Sequence, residues 1–297
     1  MGGAAGGDRT LPVHRGRAVT AGLRLVAPAG PDVLAGDEPA GRSPGAVGKA
    51  LQLLEAFMVT GPVAGVTELA RTAGLSKSTA FRLLASLEEA GYVTHAGSDY
   101  CLNLRLFELG SQVAVCRPDG LRAVAAPFLA DLFRETAHAA HLAVLDGTDV
   151  LYIEKVHGSG TPRVPTSVGS RMPASCTALG KAMLSAGHEA TVSRLIADGL
   201  PRRTRHSAAA PGLLVAELRR ARAAGVAFDR EESMLGLTCV AAPVCHAGRA
   251  IAAISLSGPT RRLDPERLSA KLQAVAAQIA ARHAALRPDG ILPARAR

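Results

Sequence analysis

Residues 66–91 read VTELARTAGLSKSTAFRLLASLEEAG, and this stretch decides the fold of the N-terminal half. It predicts a short helix, a tight turn at Ala73-Gly74-Leu75, and a second helix. Ser76 stands where a helix N-cap accepts hydrogen bonds from the free amides of the first turn. Ala80, Leu83, Leu84 and Leu87 recur at helical spacing and mark a buried stripe. Lys77, Ser78, Phe81 and Arg82 fall on the other side, with Thr79 beside them in the first turn. Two helices joined by a glycine turn also occur in ordinary helical domains. Small polar and cationic residues at the open end of the second helix, however, suit a recognition helix. Its N-terminal residues enter the major groove of DNA.

The flanks extend this pattern. Residues 46–60 (AVGKALQLLEAFMVT) predict a further amphipathic helix, with Val47, Leu51, Leu54 and Met58 as its apolar side. Downstream, Tyr92-Val93-Thr94 and Tyr100-Cys101-Leu102 flank a turn at Gly97-Ser98-Asp99, the pattern of a β-hairpin. Three helices and a hairpin make a winged helix-turn-helix over 46–102, whose wing can lie along the phosphate backbone while the helix reads bases.

At 297 residues the chain is long enough for two cored domains. Its apolar runs are broken by proline, glycine or charge well short of a membrane span, and no signal-peptide core is evident, so a cytoplasmic protein is expected. The five cysteines are odd in number and form no C-x-x-C pair, which supports neither a disulfide framework nor a zinc finger. The net charge of +9 is weak support for nucleic acid, because of where it lies. Residues 46–105 carry five Lys/Arg against five Asp/Glu, while 201–260 carry eight against four and 261–297 eight against three. DNA binding must therefore rest on local placement of Lys77, Arg82 and Lys49.

Residues 1–45, with ten glycines and five prolines, are expected to be a disordered tail. Residues 103–115 (NLRLFELGSQVAV) are amphipathic, with Leu104, Phe107 and Leu109 near the apolar side, and read as a linker helix within a 103–119 connector. Such a helix often carries dimer contacts, so a homodimer or homotetramer is expected; the plainer alternative packs it on its own domain. From 120 to 286 the pattern becomes an α+β domain, with a C-terminal tail at 287–297. Helices are expected at 121–137, 177–184, 189–197, 212–224 and 264–286. Strands are expected at 141–145, 150–156, 163–168, 226–229, 238–244 and 249–257, with helices on one side of the sheet.

Several polar groups of this domain look purposeful. Ser255 and Ser257 alternate with Ile254 and Leu256, so both hydroxyls share one strand face. Asp229 ends a strand. Ser175-Cys176-Thr177 precedes a helix that opens with Ala178-Leu179-Gly180-Lys181, and its free amides favour a carboxylate or phosphate. Together with Cys239 these groups suit a small acid. Each also has an ordinary role: a helix cap, a solvated serine, a buried thiol, an Asp–Arg pair. No nucleophile elbow, Walker A loop, zinc-protease motif or clean dinucleotide fingerprint is present, so neither enzyme activity nor a cofactor or metal is expected. The alternative from another class is a redox or metal sensor, or an enzyme, using Cys176 or Cys239. A metal form would draw on Cys239, Cys245 and His246, or on His138 and His141 with Cys245 and His246.

Three segments resemble the IclR family of transcriptional regulators closely: VGKALQLLEAF with LSKSTAFRLLASLEEAGYV; LAVLDGTDVLYIEKVHG; and VGSRMPASCTALGKAML, followed by GVAFDREESMLGLTCVAAPV and AAISLSGP. The resemblance runs from about residue 47 to 285. It implies a winged helix joined by a linker helix to a GAF-like effector domain. Such an oligomer binds double-stranded operator DNA and responds to a small organic molecule, often a carboxylic acid. It places DNA contacts on Ser76, Lys77, Ser78, Thr79, Phe81 and Arg82. It places effector contacts on the amides of Ala178 and Leu179 and on Asp229, Cys239, Ser255 and Ser257, with an apolar wall of Val164, Met172 and Leu237. The chain departs from the family at Ala174-Ser175, where many members carry a bulky residue and His, and at Phe81, where His or Tyr is frequent.

Overall fold

The computed structural model describes residues 44–158, 164 and 166–286. The expected tails at 1–45 and 287–297 lie outside the described residues, apart from Pro44 and Gly45. Helix α1 (Ala46–Thr60) is followed by the two-residue strand β1 (Val63–Ala64), α2 (Val66–Thr72), α3 (Lys77–Glu89), and the hairpin β2 (Val93–Ala96) and β3 (Asp99–Leu102). The small sheet runs β1-β3-β2. β1 is too short to show a period in the sequence, and pairing with Tyr100 and Cys101 is what makes it a strand.

Local chemistry sets the angle between α2 and α3. Gly74 sits at φ +66°, the Leu75 amide donates to the Ala70 carbonyl, and the Gly74 amide donates to Arg71. This is a Schellman stop, which needs a left-handed residue that glycine adopts without strain. Gly91 repeats it at the end of α3, where the Tyr92 amide reaches the Leu87 carbonyl and turns the chain into the wing.

The core of this half joins Leu53, Phe57, Leu69, Ala80, Leu84, Val93 and Tyr100. It corrects the expected apolar side of α1. Leu53, Ala56 and Phe57 are buried, whereas Val47, Leu51 and Met58 are exposed and Leu54 is only partly covered. α1 is apolar nearly all round, so spacing allowed two stripes, and packing on α2 and α3 selects one.

Helix α4 (Leu104–Ser111) starts at Asn103, whose Oδ1 accepts from the Leu104 amide at 2.7 Å. It is shorter than the helix expected to run to 115: a short 3-10 turn, Ala114–Cys116, replaces its last part. No residue of α4 is buried.

The second half comprises α5 (Leu121–Thr136), β4 (Ala139–Asp146), β5 (Asp149–Val156), β6 (Arg171–Pro173), α6 (Ala178–Ser185), α7 (Glu189–Ala197), α8 (Pro211–Ala224), β7 (Ala227–Arg230), β8 (Leu237–His246), β9 (Arg249–Pro259) and α9 (Pro265–Leu286). The antiparallel sheet runs β6-β5-β4-β9-β8-β7. Two expectations need correction. Helices cover both faces: α5 and α9 pack on one through Leu129, Leu132, Leu272 and Ile279, and α6 and α8 on the other through Leu179, Met183, Leu214 and Leu218. Almost every strand residue is apolar, so the sequence showed no solvent face to alternate with. The strand expected at 163–168 does not form at Val164 or Thr166–Val168; Arg163 and Pro165 lie outside the described residues. Side chains take the backbone acceptors there. Lys155 Nζ donates to the carbonyls of Val164 at 2.9 Å and Thr166 at 2.5 Å, and Pro165 has no amide to offer a ladder. Among the described residues no helix is long and apolar enough to cross a membrane.

Candidate DNA-reading helix and effector site

The open end of α3 forms as the sequence indicates. Ser76 Oγ accepts from the Thr79 amide at 3.2 Å and donates to Thr79 Oγ1 at 2.8 Å. The hydroxyls are thus organised around the helix start, where the dipole favours an anion. Lys77, Ser78, Phe81 and Arg82 are exposed, Phe81 by 58%. An aromatic ring so exposed beside two cations is not held by the core; its surface awaits a partner. Ala80 and Leu84 lie beneath at zero exposure and anchor the helix.

In the second half, the strand register assembles the expected effector residues. Asp229 on β7 stands opposite Cys239 on β8, Cys239 opposite Ser257 on β9, and Ser257 opposite Ala139 on β4. The next row on that face runs Ala227, Ala241, Ser255, His141. Above these rows lies α6, whose Ala178 and Leu179 share one apolar core with Val164, Leu237 and Cys239, while Met172 packs against it. Thr177 caps α6 by accepting from the Gly180 amide at 3.0 Å. The amides of Ala178 and Leu179, first in the helix, have no intrahelical acceptor. Gly180 lets the helix start press against the preceding turn: a Cβ there would stand 2.2 Å from the Ala174 carbonyl oxygen.

Asp229 has a more structural part than expected. Oδ1 accepts from the amides of Glu232 at 2.7 Å and Ser233 at 3.2 Å, and Oδ2 from Ser233 Oγ at 2.5 Å. Burial pushes its pKa up, against these hydrogen bonds. The carboxyl ties down the β7–β8 connection and presents its remaining edge to the Cys239–Ser257 row.

Sequence reasoning missed the charged cluster behind it. Lys181 is 2% exposed, and its Nζ donates to Glu217 at 2.6 Å and Glu232 at 2.5 Å. Burial pushes Glu232 up to about 7 despite Lys181, with Glu217 and Asp229 adding to the rise. A signal was present: α6 reads ALGKAMLS and is buried at every position, and one lysine in such a helix must find buried partners. His141 was also passed over except as a metal candidate. It lies within a strand of otherwise apolar residues and is 1% exposed.

The thiol alternative fares poorly. Burial raises the pKa of both Cys176 and Cys239, away from a reactive thiolate, and Cys176 Sγ donates to the Pro201 carbonyl at 3.3 Å. Among the described residues no group of three His, Cys, Asp or Glu is placed to hold a metal ion.

Comparison with known proteins matches both halves. The model of the bacterial transcriptional regulator IclR C-terminal domain matches residues 113–281, more than half of the chain, and that of the IclR helix-turn-helix domain matches residues 46–97. The chain belongs to the IclR family. It is 35% identical to the HTH-type transcriptional regulator XynR of Escherichia coli over 75% of this chain and 89% of that protein. It is 33% identical to the transcriptional repressor IclR of the same organism, over 74% and 82%. Among solved structures, Thermotoga maritima IclR matches with TM-score 0.65 and 30% identity, over 80% of this chain and 98% of that one. An IclR homologue of Microbacterium hydrocarbonoxydans, solved with 4-hydroxybenzoate, shares the fold (TM-score 0.74, 24% identity, 81% and 100% covered). These relatives confirm the α+β winged-helix architecture, and the curated ones are transcription regulators rather than enzymes.

Proposed function

We propose that this IclR-family regulator binds operator DNA through Ser76, Lys77, Ser78, Thr79, Phe81 and Arg82, and is released or recruited by a small carboxylic acid held under α6. The observation that supports the effector reading is the buried polar row Asp229–Cys239–Ser257 lying beneath the α6 N-terminus. The carboxylate would take the amides of Ala178 and Leu179 and the Ser257 hydroxyl. Val164, Met172 and Leu237 would close around its apolar part. The working units are the winged helix at 46–102, the connector at 103–119 and the effector domain at 120–286, in a cytoplasmic protein.

Two copies of the chain form the operator-binding unit in this reading. α4 buries nothing, and Leu104 and Phe107 are 74% and 72% exposed, as is much of the outer side of α1. Apolar surface on that scale marks an association site. Two recognition helices at fixed separation then meet two half-sites, and a rotation driven by the effector changes affinity.

The test is binding of the full chain to DNA flanking its own gene, at fixed salt and with non-specific competitor, since phosphate contacts make affinity salt-dependent. Arg82→Ala is expected to weaken the specific complex by about 10-fold or more while leaving fold and oligomer intact. Ser257→Ala is expected to leave operator affinity unchanged and to lose the response to carboxylic acids. Parental affinity in Arg82→Ala sinks the DNA assignment; a normal acid response in Ser257→Ala sinks the effector assignment.

A further inference from the structure

We propose that His141 and Ser255 form a second polar subsite beside the carboxylate position, built to take a hydroxyl group of the bound acid, so that the effector is a hydroxycarboxylic acid. The inference rests on the carboxylate reading above and goes beyond it.

His141 on β4 and Ser255 on β9 are direct cross-strand partners, each 1% exposed. Their strand neighbours Ala139, Ala143 and Ala253 belong to the core under α6, while Ala140, Leu142, Ile254 and Leu256 belong to the core on the opposite face. Both side chains therefore project to the face that carries Ser257, Cys239 and Asp229. Ser255 Oγ and His141 Nδ1 are buried with no hydrogen-bond partner among the described residues. Buried polar atoms are nearly always paired. Two unpaired atoms on directly opposed residues, whose Cβ atoms lie about 5 Å apart, ask for one guest between them.

The histidine is held for that purpose. Its Nε2 lies 3.0 Å from Thr166 Oγ1, and its ring stands edge-on to Tyr152 at a centroid distance of 5.4 Å. Burial first, then Lys155 and His157, drive its pKa down to about 3, so the ring is neutral at ordinary pH. A neutral imidazole whose Nε2 is engaged offers at Nδ1 either one donor or one acceptor, according to tautomer. A hydroxyl donates and accepts at once and satisfies Nδ1 in both tautomers, with Ser255 taking the other bond. A carbonyl or a second carboxylate only accepts. The cation facing His141 from β5, Lys155, is already engaged by the carbonyls of Val164 and Thr166, so the subsite offers no free positive charge to a second carboxylate. Ser255 and Ser257 are two residues apart on one strand, a separation of about 7 Å. The hydroxyl therefore stands several bonds from the carboxylate rather than on the adjacent carbon.

The experiment is calorimetric binding of matched acids to the full chain: 4-hydroxybenzoate against benzoate, and 4-hydroxybutyrate against butyrate. At least one hydroxyl-bearing member should bind on the order of 10-fold tighter than its partner, because the partner leaves both protein atoms unpaired. In His141→Phe, and separately in Ser255→Ala, the ratio should fall towards one, with operator binding confirming that each variant is folded. Ser255→Ala removes a single hydroxyl and keeps the test decisive if the ring replacement does not fold. Equal binding within both pairs in the parent would show that a fixed water fills the gap, and would overturn the proposal while leaving the carboxylate reading intact. A ratio retained in both variants would assign the preference to other residues. Binding by none of the four acids, in a chain that still holds its operator, overturns the carboxylate reading and this proposal with it.

Discussion

Lys181→Met is expected to destabilise the effector domain by about 3–5 kcal/mol at pH 8, the usual result of removing one member of a buried ion pair. Methionine fills nearly the same volume, so the loss is electrostatic. Glu232, 5% exposed, keeps its charge without the ammonium 2.5 Å away, and Glu217 loses the same partner. The deficit should shrink in acid, and the sign follows from Glu232. Its folded pKa of about 7 lies above the ordinary 4.5, so the folded state binds this proton more tightly than the unfolded chain. Its contribution to stability is full below about pH 4.5 and is lost as pH rises through about 7. Without Lys181 the carboxyl is pushed higher still, and the loss steepens. Urea titrations at pH 5.5 and pH 8 check this: the gap between variant and parent should be clearly larger at pH 8. Adding Glu232→Gln should recover much of the loss at pH 8. A gap independent of pH would show that packing, not charge, is what Lys181 contributes.

Gly180→Ala is expected to be about as damaging, at roughly 3 kcal/mol, although alanine is the better helix former by about 1 kcal/mol. The added Cβ would lie 2.2 Å from the Ala174 oxygen and 2.3 Å from its Cα, and both are backbone atoms that no rotamer change can move aside. The turn at residues 174–176 must then lift from α6, taking with it the Thr177 cap and the first two helix amides. At temperatures where the variant is still folded, operator binding should persist and the acid response should fail. Thermal unfolding monitored by far-UV circular dichroism gives the stability, and the acid effect on the DNA complex gives the rest. A melting temperature equal to that of the parent would mean that the turn yields freely.

The winged helix was legible because its signals are local. A glycine stop, a serine cap and an i, i+3, i+4, i+7 stripe act within a dozen residues, and α3 begins after Ser76 as that pattern requires. The effector residues were legible as types and partly as a strand face, since Ser255 and Ser257 share a side by simple alternation. What escaped was set by contacts distant in sequence. The apolar side of α1 was ambiguous until α2 and α3 packed on Leu53 and Phe57. The 163–168 segment looked extended, but Lys155 takes its carbonyls. The partners of Lys181 come from 36 and 51 residues away.

The sequence by itself determined where the chain turns helical or extended, which helix end stands open to DNA, and that two differently patterned domains follow one another. Those properties arise from backbone propensities and side-chain periods, which are short in range. Only the tertiary structure decided that helices cover both sheet faces, that Asp229 is tied into its own loop, and that His141 and Ser255 meet across two strands with polar atoms unpaired. Strand register and burial set these, and each depends on residues more than a hundred positions apart being brought within hydrogen-bonding distance.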